Sequence, residues 1–166
     1  MSANEKNIVS ELEEKPIYLG FKGTADAVLD ENNRMSIPSK YRDDLGRLFV
    51  GCCTGGEFPC LYFFPLQNWK DLANELHGIS NEIPRTPELE WRRRNLYKNA
   101  EDITADGKGR FTLPPQLCKL AGLKGEVLFI GNMKRVEVWN PDTYAAAEAK
   151  SVAEAYNTGR IPDLNY

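Results

Sequence analysis

Histidine and paired cysteine motifs, which build many catalytic and metal sites, are nearly absent from this sequence. Its 166 residues include one histidine, His77, and four cysteines at positions 52, 53, 60 and 118. There is no C-x-x-C pair, which argues against a zinc site. The single histidine does not form part of a recognisable Ser-His-Asp catalytic arrangement. We therefore expect no metal site and interpret the four cysteines as buried or half-buried thiols.

A phosphate-binding loop and a long apolar run are also missing. The stretch "CTGGE" at 53–57 does not match G-x-x-x-x-G-K-(S/T), so we expect no enzyme, no cofactor and no small-molecule substrate. No apolar run is long enough to span a bilayer, and residues 1–16 lack the order of a signal peptide. These features predict a cytoplasmic protein without a membrane partner. The net charge of −3 means that any nucleic-acid surface must be a local patch.

One nine-residue pattern occurs twice. "DENNRMSIP" begins at Asp30 and "DGKGRFTLP" begins at Asp106, so both read Asp-x-x-x-Arg-x-(Ser/Thr)-(Ile/Leu)-Pro, 76 residues apart. One such half is too small to bury a good core alone. We therefore predict a duplication in which the two halves complete each other's sheets around a pseudo-twofold axis. The same spacing separates further pairs: Phe63 and Trp139, and Pro65 and Pro141.

Hydrophobic periodicity predicts an α+β chain, mainly β, with the same order of strands and a short helix in each half. "PLQNWKDLANELHGI" predicts an amphipathic helix ending near Gly78, followed by a linker. Thr86 and Pro87 predict the start of the next helix. The expected organisation is a flexible acidic tail at 1–16, a first half at 17–84, a second half at 85–150, and a helix end with a loose tail at 151–166.

The repeated pattern has the chemistry of a tight turn. Asp30 and Asp106 can accept hydrogen bonds from nearby backbone N–H groups. Asn33 and Gly109 hold the matching positions before each arginine, and both residue types tolerate a positive φ. We therefore predict that these four residues shape two equivalent turns.

Each turn would place one arginine, Arg34 or Arg110, at a fixed point. The planar guanidinium can hold a phosphate or the O6/N7 edge of guanine. It can equally pair with the aspartate of its own turn and only hold that turn together. The residues alone leave both interpretations open.

From Phe21 to Ala149 the sequence resembles the MraZ family of transcriptional regulators, which have two tandem SpoVT-AbrB-like halves. The matching stretches are "GTADAVLDENNRMSIPSKYR", "AEDITADGKGRFTLPPQLCKLAGL" and "EVLFIGNMKRVEVWNP". The resemblance implies a pseudo-twofold swapped-hairpin β-barrel with short helices. It also implies a ring-shaped homo-oligomer that is nucleoid-associated. Such rings bind direct repeats in double-stranded DNA upstream of the division and cell-wall gene cluster, including the protein's own promoter.

The resemblance also implies which residues contact DNA. It assigns that role to Arg34 and Arg110 in the two turns and to Lys108 beside the second. Lys40 and Arg42, which follow the first motif, are weaker candidates.

The first turn departs from the family pattern. It has Glu31-Asn32-Asn33 where the family usually shows a Lys-Gly pair before the arginine. Because Glu31 adds a negative charge and Asn32 brings none, the first turn should attract phosphate less strongly than the second.

Two other hypotheses about function are compatible with the same fold. A protein-binding assembly module of the same superfamily would have the same barrel and helices but would not need free arginines. A ring of this type with weak or lost DNA binding would also fit the departure at Glu31 and Asn32. The basic run "WRRRN" at 91–95 has helical spacing and is interpreted as a solvated face or a subunit contact.

Overall fold

The structure, a computed structural model, describes residues 19–82 and 86–158. The acidic tail predicted at 1–16 and the end of the predicted C-terminal tail lie outside these residues. The strands are β1 Thr24–Leu29, β2 Arg34–Ser36, β3 Leu48–Cys53, β4 Leu61–Pro65, β5 Glu101–Thr104, β6 Arg110–Thr112, β7 Gly125–Asn132 and β8 Arg135–Trp139. The helices are α1 Ser39–Leu45, α2 Leu66–Glu82, α3 Pro87–Tyr97, α4 Pro115–Leu120 and α5 Pro141–Thr158. No helix in the described ranges is both long and apolar enough to cross a bilayer.

The local sequence explains where three of the helices begin. Pro38 and Pro114 precede the short helices α1 and α4 in extended conformation, since proline fixes φ and cannot extend the preceding ladder. Thr86 caps α3, because its side-chain oxygen accepts a hydrogen bond of 3.2 Å from the backbone N–H of Leu89. The predicted cap and the predicted order of elements are therefore confirmed.

The end of α2 differs from the prediction. The helix continues past Gly78 to Glu82 and takes up the first part of the segment that was expected to be a linker. A glycine inside a helix costs only about 1 kcal/mol relative to alanine. Gly78 alone is therefore too weak a signal to stop a helix whose earlier turns pack against the sheet.

The sheets are antiparallel and interleave the two halves. The larger sheet has the strand order β1-β7-β8-β4-β3-β5, and β2 pairs with β6 in a second, two-stranded sheet. Strands β1 to β4 of the first half correspond to β5 to β8 of the second half. When each strand of the larger sheet is replaced by its counterpart, the strand order is the original order reversed. Each outer strand is therefore paired with the other half, as the pseudo-twofold prediction required. These pairings do not describe a closed barrel, which stays a prediction.

The core is shared by both halves. Phe63 lies at its centre, with ring centroids 5.0 Å from Phe49, 5.8 Å from Phe111 and 6.3 Å from Phe129. Two of these rings come from each half, and all four are buried. Burial of four rings in one cluster stabilises the two halves as a single unit.

The cysteines behave as the sequence predicted. Cys52, Cys53, Cys60 and Cys118 are free and buried. Burial raises the pKa of the Cys52 and Cys60 thiols to about 12, so both stay protonated and unreactive near neutral pH.

Candidate nucleic-acid interface

The first turn is held by the carboxylate of Asp30. Its Oδ1 accepts hydrogen bonds from the backbone N–H groups of Asn32 and Arg34, both at 2.8 Å. The backbone N–H of Asn33 donates to the carbonyl of Asp30 at 3.1 Å. Asn33 has a φ of 60°, so this residue takes up the left-handed conformation that the turn requires.

The second turn repeats this arrangement 76 residues later. Asp106 Oδ1 accepts from the backbone N–H groups of Lys108 and Arg110, both at 2.9 Å. Gly109 has a φ of 78°, and its N–H donates to the carbonyl of Asp106 at 3.0 Å. The two motifs therefore form the same turn with different residues at its tip.

The β2–β6 pairing brings the two turns onto one surface. Arg34 lies opposite Thr112, and Ser36 lies opposite Arg110. Met35 and Phe111 pair between them and are buried, whereas both arginines are exposed. Because side chains alternate along a strand, Arg34 and Arg110 lie on the same outer face as diagonal neighbours, about 7–8 Å apart at their backbones.

The two arginines differ in their partners. Arg110 Nε donates to Asp106 Oδ2 at 2.8 Å, while within the described residues the Arg34 guanidinium has no hydrogen-bond or ion-pair partner. The ion pair is open to solvent, with 64% of the Arg110 side chain and 43% of the Asp106 side chain exposed, so it contributes little stability. Only Arg110 therefore pairs with the aspartate of its own turn, and it does so through Nε alone. Arg34 does not hold its turn together in this way.

The two turns also differ in net charge. Asp30, Glu31 and Arg34 give the first turn a net charge of −1, and Asp106, Lys108 and Arg110 give the second +1. The lysine is exposed, so its charge faces solvent beside Arg110. We call the two-stranded sheet of Arg34–Ser36 and Arg110–Thr112 the β2–β6 ribbon. A phosphate group approaching this ribbon is therefore attracted mainly to the second turn.

The two weaker candidates bind backbone groups of this protein. Lys40 Nζ donates to the carbonyl of Thr24 at 2.7 Å, and Arg42 Nε donates to the carbonyl of Ile37 at 2.7 Å. A Cβ atom added at Gly109 would lie 2.6 Å from Arg42 Nε, so the arginine of α1 packs directly against the turn of the other half. Sequence reasoning missed this contact. The one feature of the sequence that could have indicated this contact is Gly109, which stands where the first turn has Asn33.

The second turn gives a prediction about pH. Hydrogen bonds from the Arg110 backbone N–H and then from its side chain lower the pKa of Asp106 to about 2. Because the folded-state pKa lies below the ordinary value of about 3.9, this carboxylate stabilises the fold above that value. The stabilisation is lost as the pH falls through about 2. A carbon-detected NMR titration of the Asp106 carboxyl should give its midpoint near 2.

The Arg110→Ala variant should raise this pKa only part of the way, because alanine keeps the backbone donor at position 110. Lys108→Ala keeps its backbone donor too and serves as the control, with little expected change. An ordinary Asp106 pKa in the unsubstituted protein would contradict the turn geometry.

The described residues hold no group of three or more histidine, cysteine, aspartate or glutamate side chains arranged to bind a metal ion.

Comparison with known proteins places this fold and these turns in one family. The family model described as "MraZ protein, putative antitoxin-like" matches residues 21–89 and 96–159. A protein of Pseudomonas putida named transcriptional regulator MraZ is 31% identical over 148 residues, covering 86% of this chain and 95% of the relative. A protein of the same name from Thiobacillus denitrificans is 36% identical over 138 residues, covering 80% of this chain and 89% of the relative. The protein whose two turns meet on the β2–β6 ribbon is therefore a member of the MraZ family.

Proposed function

We propose that this protein is a sequence-specific DNA-binding transcriptional regulator that contacts DNA through the outer face of the β2–β6 ribbon. The observation that carries the proposal is the placement of Arg34 and Arg110, one from each half, on one exposed face of a two-stranded sheet. Relatives from several bacteria are named transcriptional regulator MraZ. That name describes regulation and not a reaction, in agreement with the prediction that the chain is not an enzyme.

A two-stranded β-ribbon such as β2–β6 is an element that DNA can accommodate. The major groove is about 12 Å wide and admits a two-stranded β-ribbon. Arg34 and Arg110 can each form paired hydrogen bonds with a guanine edge or a phosphate, and Lys108 adds an exposed charge. Contacts with phosphates would fix the position of the ribbon, and contacts with base edges would select the sequence. Lys40 and Arg42 stay weaker candidates for DNA contact, because each already donates to a backbone carbonyl of this protein.

We also propose a ring-shaped homo-oligomer of swapped-hairpin barrels, with the first half at 17–84 and the second at 85–150. Two arginines per subunit give weak binding, which a ring multiplies by presenting ribbons to successive direct repeats. Burial of exposed apolar side chains such as Leu19, which is 76% exposed, and Met133, which is 71% exposed, would stabilise subunit contacts. The DNA sites would lie upstream of the division and cell-wall gene cluster, including this protein's own promoter. This activity belongs to a cytoplasmic, nucleoid-associated protein.

A protein-binding assembly module is the second candidate. The exposed apolar residues favour it, and so does the description of the family as antitoxin-like. Such a module would bind its partner with or without the two arginines. DNA binding that depends on both arginines distinguishes the two functions.

The first test is fluorescence anisotropy with labelled DNA from upstream of the protein's own gene. We expect binding that is much tighter than to scrambled DNA of the same length, and that weakens steeply as salt rises. Sedimentation velocity at the same concentrations would report the size of the oligomer. Equal affinity for both DNA sequences at every salt concentration would contradict the proposal and favour the assembly module.

A further inference from the structure

The repeated pattern contains one hydroxyl residue in each half. Ser36 and Thr112 stand two residues after the two arginines, and both lie on the outer face of the ribbon. Thr112 is exposed and Ser36 is half-buried. Within the residues that the structure describes, neither hydroxyl has a hydrogen-bond partner, so both are available to a ligand.

The register places each hydroxyl beside the arginine of the other half. Thr112 lies directly opposite Arg34, and Ser36 lies directly opposite Arg110. The hydrogen bonds at the two ends of the ribbon join Ile37 N to the carbonyl of Gly109 and Leu113 N to the carbonyl of Asn33, at 2.8 and 2.7 Å.

Hydrogen-bonded and non-hydrogen-bonded pairs alternate along an antiparallel ladder. The two end bonds therefore make Arg34–Thr112 and Ser36–Arg110 the non-hydrogen-bonded pairs. In such pairs the backbones approach to about 4.5 Å and the side chains come closer together. A hydroxyl and a guanidinium so placed can donate to the same anion.

We propose that the ribbon carries two phosphate subsites, each assembled from both halves of the chain. Arg34 and Thr112 form one subsite, and Arg110 and Ser36 form the other. Each subsite takes one phosphate of the DNA backbone, to which serine and threonine hydroxyls and arginine commonly donate. This inference rests on the proposed DNA binding and adds residues that it did not assign.

The test is a set of double-mutant cycles measured by anisotropy on the same promoter DNA. Thr112→Val keeps a β-branched side chain in the strand and removes only the hydroxyl, and Ser36→Ala does the same for the other subsite. We expect Thr112→Val to weaken binding about tenfold in the unsubstituted protein and in Arg110→Ala, but hardly at all in Arg34→Ala. Ser36→Ala should show the reverse dependence.

Thr104→Val is the matched control, since Thr104 is an exposed strand threonine outside the ribbon, paired with Leu48. It should leave binding unchanged. Salt dependence gives a second readout: the slope of log affinity against log salt should fall by about one for each bound ribbon in Arg34→Ala and stay the same for Thr112→Val.

The outcomes separate the two proposals. If the hydroxyl variants bind like the unsubstituted protein while the arginine variants lose binding, the composite subsites are wrong and DNA binding through the arginines stands. Coupling of Thr112 with Arg110, the arginine of its own half, would also overturn the cross-half subsites. If the unsubstituted protein does not prefer the promoter DNA, the proposed function fails, and this inference fails with it.

Discussion

The double variant Arg34→Ala, Arg110→Ala is expected to bind promoter DNA about 100-fold more weakly than the unsubstituted protein, or worse. Each hydrogen-bonded contact between an arginine and a charged group is worth about 1.5–3 kcal/mol, and this variant removes both arginines from every subunit. The fold should persist because both side chains are exposed and because Asp30 and Asp106 still accept hydrogen bonds from backbone N–H groups. Anisotropy for affinity and thermal unfolding for stability measure the two effects separately.

The single variants should not be equivalent. Arg110→Ala should cost more than Arg34→Ala, since Lys108 strengthens the second turn and Glu31 weakens the first. The bond from Arg110 Nε to Asp106 also fixes the guanidinium before DNA arrives, which lowers the entropy cost of binding. Arg92→Ala is the matched control, because Arg92 is exposed and pairs with Glu88 four residues away in the same way. Equal losses for the two single variants would contradict this ranking.

The Gly131→Ala variant is expected to give the largest loss of stability. A Cβ atom at Gly131 would overlap the backbone nitrogen of Lys22 and lie 2.7 Å from the Lys22 Cα. These are backbone atoms, and they cannot move aside as the end of a flexible side chain can. The segment at 20–23 would have to leave β7, giving up the paired hydrogen bonds between Phe21 and Met133 at 2.8 and 3.0 Å and exposing the buried Phe21 ring. We expect a loss of about 3 kcal/mol in the free energy of unfolding.

Thermal unfolding measures this effect, with an expected fall in Tm of about 6–12 °C for a chain of this size. Gly107→Ala is the control, because a Cβ atom there would meet nothing within 4 Å. Its Tm should stay within about 2 °C of the unsubstituted value. A Gly131→Ala protein as stable as this control would mean that the segment at 20–23 does not contact β7 so closely.

Much of the fold follows from local patterns in the sequence. Alternating apolar residues in "GTADAVLD" and the Thr86-Pro87 pair predict β1 and the start of α3 without any tertiary information. The doubled motif predicts the duplication. The end of α2 could not be predicted, because packing decides whether a helix continues through a glycine such as Gly78.

The candidate surface was harder to predict than the residues that make it. Sequence spacing predicts one arginine in each half but says nothing about the distance between them. That distance depends on the register between β2 and β6, which places Arg34 opposite Thr112 and makes the arginines neighbours. The contact of Arg42 with the turn at Gly109 depends on the same register and joins residues from different halves.

The interleaved strand order has a consequence for synthesis of the chain on the ribosome. Strand β1 pairs with β7, which is translated about 100 residues later, so at about 5–20 residues per second β1 waits roughly 5–20 s for its partner. During that interval its backbone is a free edge that a neighbouring nascent copy could join. Asp26, within the strand, and Asp30 and Glu31, just after it, put three negative charges along this edge. Mutual repulsion between these charges disfavours pairing between two nascent copies along this edge.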